Sequence, residues 1–255
     1  MTEPLLTTAG LSVTFGGLSA LTGLDLSIRK GEIVALIGPN GAGKTTAFNA
    51  ITGAIKPSAG DVIFRGKDIT GWSPPRVARF GIARTFQQIR LYSDLTVIEN
   101  VMVAGHSSIR YSIVEAIAGV GRFTTDERRI REHAEHLLEV TGLIEMANEK
   151  AQFLPYGNQR KLEMARALAL DPLLLLLDEP VAGMNPIETI EFGELLGRLR
   201  QELNLTTCLI EHDMGFVMDI CQKLKVLDHG VPIAFGTPDE IRSDRRVISA
   251  YLGEG

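Results

Sequence analysis

Hydrophobic positions along the chain fall into two patterns. In residues 21–30 (LTGLDLSIRK), Leu24, Leu26 and Ile28 alternate with polar neighbours, as in a strand with one buried face. Residues 5–15 read as its partner, ending at Phe15 before a Gly16-Gly17 turn. EIVALIG (32–38), LLLLLD (173–178) and TTCLIEH (206–212) are apolar without alternation, as strands buried on both faces are. A glycine-rich loop and a helix from about Lys44 follow the first of these runs. A helix over 186–203 joins the second to the third. Strand, helix, strand in that order predicts a parallel sheet with helices on its faces.

Residues 88–150 have a different texture, with no buried-strand run and a helical period. Two capping-box patterns, Thr96-Val-Ile-Glu99 and Thr124-Thr-Asp-Glu127, predict two helix starts. The second helix should place Ile130, Ala134, Leu137 and Leu138 on one face and stop at Gly142. The pattern as a whole predicts an α/β core interrupted by a mostly helical insertion, with both parts packed as one unit.

Composition narrows the class. The 255 residues carry 26 Lys+Arg against 31 Asp+Glu, a formal charge of −5, which argues against a nucleic-acid partner. Two cysteines, Cys208 and Cys221, exclude a disulfide framework and fit a reducing compartment. The purest apolar run, Leu173–Leu177, is far short of a bilayer span, and Met1-Thr2-Glu3-Pro4 lacks the character of a signal peptide. A cytoplasmic protein is expected.

The chemistry begins at Gly38-Pro39-Asn40-Gly41-Ala42-Gly43-Lys44-Thr45, which fits G-x-x-x-x-G-K-[ST] at every position. Such a loop curls backbone N–H groups around phosphate oxygens, and the helix that follows adds its positive N-terminus. Lys44 is expected at the β- and γ-phosphates, the Thr45 hydroxyl on Mg²⁺, and Thr46 beside it at the nucleotide. Asp178-Glu179, closing the second buried strand, supplies one carboxylate for Mg²⁺ and a second to take a proton from an attacking water. These parts define a nucleoside triphosphatase or kinase.

The segment Leu154-Pro155-Tyr156-Gly157-Asn158-Gln159-Arg160-Lys161-Leu162-Glu163 resembles the signature loop of ATP-binding cassette (ABC) ATPases. Gln87 in ARTFQQ, after the strand-like 82–86, looks like their Q-loop glutamine, and His212 in LIEHD like their switch histidine. Ala182-Gly183-Met184-Asn185 occupies the D-loop position, and Phe15 matches the aromatic that stacks on adenine. FGGLSAL, RTFQQIRLYSDLTVIENV, LPYGNQRKLEMARALA, DEPVAGMNP, LIEHDMGFVM and the tail GTPDEIRSDRRVISAYLGE are similar to the branched-chain amino acid (LivG-type) transporter cassettes.

That resemblance implies a single ABC ATPase domain over 1–255. Its parts would be a P-loop NTPase (RecA-like) core with a parallel sheet (1–87 and 156–236), an N-terminal antiparallel β subdomain, a helical signature insertion (88–155) and a family tail (237–255). It implies ATP and Mg²⁺ as ligands. Glu179, His212 and Gln87 become the catalytic set, Thr45, Gln87 and Asp178 the metal set, and Leu154, Gly157 and Asn158 the signature-loop contacts to nucleotide. It further implies a second cassette as partner, more often a sister chain than a copy, and two transmembrane permease subunits, with this chain peripheral on the inner face of the cell membrane. A substrate-binding protein would deliver cargo. Cassettes of urea or short-amide importers share nearly this sequence. The signature departs from Leu-Ser-Gly-Gly-Gln at Pro155, Tyr156 and Asn158, and Pro155 brings neither hydroxyl nor N–H.

Residues outside these motifs have plainer readings. His133 and His136, among Arg131, Glu132 and Glu135, form a solvated helix face; Cys208 is a core thiol; Trp72 is either a loop anchor or an exposed contact residue. A DNA- or ribosome-directed ABC ATPase would carry coiled-coil insertions, basic arms or paired cassettes, and a small-molecule kinase would have no use for the Gly157 loop.

Overall fold

The computed structural model describes residues 3–106 and 122–252. The chain divides into two compact units, one of residues 1–84 with 173–255, the other of residues 85–172. The signature helix falls in the second of these units.

The first unit contains two sheets. Strands β1 (Pro4–Phe15), β2 (Leu18–Arg29), β4 (Ala59–Phe64) and β5 (Lys67–Asp68) form an antiparallel sheet in the order β2-β1-β4-β5. The other sheet runs β10-β9-β3-β8-β7-β6, from β3 (Ile33–Ile37), β6 (Ile82–Arg84), β7 (Leu174–Asp178), β8 (Thr206–Ile210), β9 (Lys223–Asp228) and β10 (Val231–Gly236). Every pair in it is parallel except the β9–β10 hairpin. All five residues of β3, of β7 and of β8 are buried, which is why these strands lack the alternation of β1 and β2.

Helix α1 (Lys44–Ile51) contributes Phe48 and Ile51 to an apolar cluster shared by Leu24 of β2, Leu36 of β3, Phe64 of β4 and Leu176 of β7. That cluster fixes both sheets around α1 and therefore fixes the loop from which α1 springs. Helix α2 (Pro74–Arg79) follows a loop anchored by Trp72, whose ring lies 5.3 Å from that of Phe80 and 3.5 Å under the Arg76 guanidinium. The Cys208 thiol is fully buried in β8, and desolvation pushes it up to about 12, so it is an inert core group.

The second unit is helical. Helices α3 (Val97–Gly105), α4 (Arg122–Thr141) and α5 (Tyr156–Leu168) pack on one another. Thr96 caps α3 as its pattern predicts, accepting from the Glu99 N–H while the Glu99 carboxylate accepts from Thr96. The second pattern does not mark a helix start. The chain is already helical at Arg122, so Thr124 lies inside α4 rather than before it. The portion of the expected helical insertion at 107–121 lies outside the described residues. Ile130, Ala134, Leu137 and Leu138 are buried along α4 as their spacing requires. Gly142, at φ 73°, ends the helix: its N–H donates to Glu139 O and that of Leu143 to Leu138 O, the paired bonds of a Schellman stop.

Helix α6 (Pro186–Glu202) joins β7 to β8, α7 (Met214–Ile220) joins β8 to β9, and α8 (Pro238–Ser243) and α9 (Arg245–Leu252) follow β10. Among the described residues no helix is long and apolar enough to cross a membrane.

Candidate nucleotide site

The parallel order β3-β8-β7 sets three carboxyl ends side by side, and the phosphate loop, the His212 segment and Asp178-Glu179 leave from those ends. Ligands of open α/β sheets bind at such ends. The phosphate loop needs glycine where backbone crowds it. A Cβ on Gly38 would lie 2.0 Å from the Leu227 carbonyl oxygen, and one on Gly43 2.5 Å from that of Ala20. Gly43 is also the left-handed N-cap of α1, and no side chain caps the helix, so the first-turn N–H groups face the loop. Lys44 is buried, and its Nζ donates to the carbonyls of Gly38 (2.6 Å) and Pro39 (2.8 Å). The ammonium is thereby held inside the loop, beside the positive helix end, where anionic oxygens are favoured.

Around that cation, Pro39 and Ala42 are buried, Asn40, Gly41 and Thr45 are exposed, and Thr46 is half-buried. Phe15 ends β1 opposite Leu18 of β2, and the pair is exposed at the hairpin tip, 48% and 72% respectively. An aromatic face so exposed is free to stack on a flat ligand.

Asp178 is buried at the end of β7, where its Oδ2 accepts from Arg84 Nη2 at 2.7 Å. Arg84 Nη1 donates in turn to Asn49 Oδ1 of α1 at 2.6 Å, so one guanidinium ties β7 to the phosphate-loop helix. Sequence reasoning missed Arg84. Its partners lie 35 and 94 residues away, and no spacing rule connects them.

Glu179 adopts φ 51° and donates its N–H to Ile210 O of β8 at 2.9 Å. Its Oε1 lies 3.6 Å from His212 Nδ1. Glu179 is 19% exposed and His212 55%, so the pair sits at the rim of the solvent. The sequence placed His212 at the end of its strand. In fact β8 stops at Ile210 and the histidine lies two residues beyond, on the segment entering α7.

The remaining site candidates lie in the second unit. Gln87 is exposed, and its carbonyl accepts from Arg160 Nη2 at 2.8 Å. Arg160 also donates to the Phe86 carbonyl (3.2 Å) and pairs with Glu163 at 3.2 Å, both side chains buried. Burial pushes the Glu163 carboxyl up, and Arg160 pulls it back without cancelling the shift. Leu154 is buried, and its carbonyl accepts from Gln159 Nε2. Pro155 stands at the N-cap of α5 with no side-chain cap, Gly157 is buried in the first turn, and Asn158 Nδ2 faces Met146 Sδ at 3.3 Å. Among the described residues no three or more His, Cys, Asp or Glu side chains gather as a metal cluster. His133 and His136 lie on the α4 surface, nearest Asp171 and Glu139. The oxygens at hand are the Thr45 hydroxyl and the Asp178 carboxylate, a hard and sparse donor set that suits Mg²⁺ shared with phosphates.

Fold and loop together define a P-loop nucleotide-binding ATPase core, and comparison with known proteins carries the assignment further. Residues 21–182 match the family model described as "ABC transporter", and residues 231–255 that of the "Branched-chain amino acid ATP-binding cassette transporter". The chain is 46% identical over 254 residues to the high-affinity branched-chain amino acid transport ATP-binding protein LivG of Salmonella typhimurium, covering 100% of each. Its fold is similar to the ADP conformation of MJ1267, an ATP-binding cassette of an ABC transporter, with TM-score 0.86, 32% identity and coverage of 99% of this chain and 100% of that one. It is also similar to the dimeric structure of MJ0796, a bacterial ABC transporter cassette, at TM-score 0.76, 25% identity and coverage of 91% and 98%. The chain belongs to the ABC transporter ATPases, in the branched-chain amino acid (LivG) family. It is an ATP-hydrolysing transporter subunit.

Proposed function

We propose that the chain energises import of branched-chain amino acids from the inner face of the cell membrane. It would work as one of two paired cassettes beneath two permease subunits, with a binding protein supplying the cargo. The observation that carries the chemistry is the row of strand ends, with Lys44 in the phosphate loop, Asp178 tied to α1 through Arg84, and Glu179 3.6 Å from His212. The 46% identity to LivG over the full chain supports the cargo, and the dimeric cassette relative supports the pairing.

In this reading Lys44 and the α1 N–H groups bind the β- and γ-phosphates, and Phe15 stacks on adenine. Thr45 and Asp178 would hold Mg²⁺, which when bound neutralises charge on the phosphates. Glu179 accepts the proton of the water that attacks the γ-phosphorus, as the bond to the β-phosphate oxygen breaks and ADP departs. His212 orients that carboxylate and the water. Gln87, together with Leu154, Gly157 and Asn158, keeps the roles of the family pattern, sensing nucleotide and completing the site of a partner cassette.

The test is transport by the full complex in vesicles, with labelled leucine and the binding protein. Uptake should require ATP and vanish in Glu179→Gln, which still binds ATP and runs as an ATP-dependent dimer on size exclusion. ATP-independent uptake would overturn the reading, and uptake of urea in place of leucine would overturn the cargo.

A further inference from the structure

Glu211 precedes the switch histidine and is 1% exposed, in a stretch where every residue of β8 is buried. A carboxylate is taken out of water at such a position only where its oxygens are fully engaged. Here they accept three backbone N–H groups. Oε1 accepts from Val181 at 3.0 Å, and Oε2 from His212 at 2.9 Å and Asp213 at 3.3 Å. Val181 opens the loop that runs through Ala182-Gly183-Met184-Asn185, and His212 and Asp213 lead into α7. The β7–β8 ladder ends at the Asp178–Ile210 pair, and the last main-chain link is the Glu179 N–H to Ile210 O. Beyond it the two loops share the Glu211 carboxylate.

We propose that Glu211 is a positioning residue that clamps the His212 segment to the Val181–Asn185 loop, so that the two loops move as one piece and the Glu179–His212 spacing is kept. The inference rests on the reading of Glu179 and His212 given above. Its chemistry is specific to a carboxylate. A glutamine presents one acceptor and one NH₂, and the NH₂ would face a backbone donor in one of the two loops. Glu211→Gln must therefore release either Val181 or the His212–Asp213 pair. Glu211→Asp keeps the charge but is one methylene shorter, and it too can serve only one loop.

The experiment is a double-mutant cycle on turnover in the full transporter complex, with Glu211→Gln, His212→Ala and the pair. Glu211→Gln should lower kcat about tenfold or more at unchanged KM and unchanged nucleotide affinity, because the Lys44 loop is untouched. In the His212→Ala background the same substitution should change kcat less than about threefold, since Glu211 acts through the histidine. Fully multiplicative losses would overturn the inference alone. Wild-type turnover in His212→Ala by itself would overturn the catalytic reading beneath it. Amide hydrogen exchange of the full chain gives a readout independent of turnover: protection at Val181, or at His212 and Asp213, should fall in Glu211→Gln, and unchanged protection at all three would overturn the clamp. Should the glutamine variant fail to fold, Glu211→Asp is expected to show the same cycle and the same exchange pattern, and its failure to do so is equally decisive.

Discussion

In the strand-built unit, Asp178, Glu179 and the His212 segment are carried by β7 and β8, whose ladder pairs Leu174 through Asp178 with Thr206 through Ile210. In the helical unit, Gln87 is held by a side chain, the Arg160 guanidinium, which reaches the Phe86 and Gln87 carbonyls and is itself paired with buried Glu163. A ladder cannot slip by one residue without turning every side chain to the wrong face, so the first arrangement is fixed by the backbone. The second is held through side chains, among them the buried Arg160–Glu163 pair and the Tyr156 hydroxyl that accepts from Arg160. Chemistry that must align a carboxylate, a histidine and phosphates suits the first. On the proposed reading, the nucleotide-sensing Gln87 belongs to the second.

Substitutions in each unit can break this contrast. The largest effect belongs to Lys44→Ala, which removes the cation from the phosphate loop. ATP turnover should fall by at least about 10²–10³-fold. The far-ultraviolet circular dichroism and the unfolding cooperativity should stay as in the wild type, because Phe48 and Ile51 still anchor α1. Turnover near the wild-type rate would remove the loop from the site.

Next is Arg84→Ala. It leaves Asp178 buried without its guanidinium and cuts the link from β7 to Asn49. Breaking a buried pair of this kind costs about 3–5 kcal/mol, which a urea titration would register as a lower midpoint at an unchanged slope. A loss under about 1 kcal/mol, the scale of an exposed pair, would mean that the ladder alone holds the aspartate.

The smallest effect concerns pH. In the folded chain the Glu163 carboxyl lies above its ordinary value of 4.5, chiefly through burial. The folded state therefore binds that proton more tightly than the unfolded one. The associated stability is full below about 4.5 and is lost as pH rises through the raised folded value. Glu163→Gln has no such proton, so its stability relative to the wild type should climb with pH across that interval. Urea unfolding of both proteins from pH 4.5 to pH 7.5 measures this. A constant difference would show that Arg160 cancels the burial and that the second unit is no more sensitive to protons than the first.

Local pattern alone determined a good deal of this protein. Uninterrupted apolar runs marked β3, β7 and β8, because a strand covered on both faces leaves no polar position. Glycine spacing marked the phosphate loop, because Gly38 and Gly43 meet carbonyls where a Cβ has no room. Thr96 and Gly142 marked helix ends, because a cap acts within a single helical turn or little more. Where a rule depended on context it failed, as at Thr124, which has the letters of a cap but lies within α4. Tertiary structure alone decided the order β3-β8-β7, the bond from Arg84 to a carboxylate 94 residues away, and the bond from the Val181 amide to Glu211 30 residues away. The physical reason is the reach of the interactions. Caps and glycine turns act over a few residues and leave a trace in sequence spacing, whereas a charge that satisfies buried partners across a sheet acts over a few ångströms, between positions whose proximity exists only after the chain has folded.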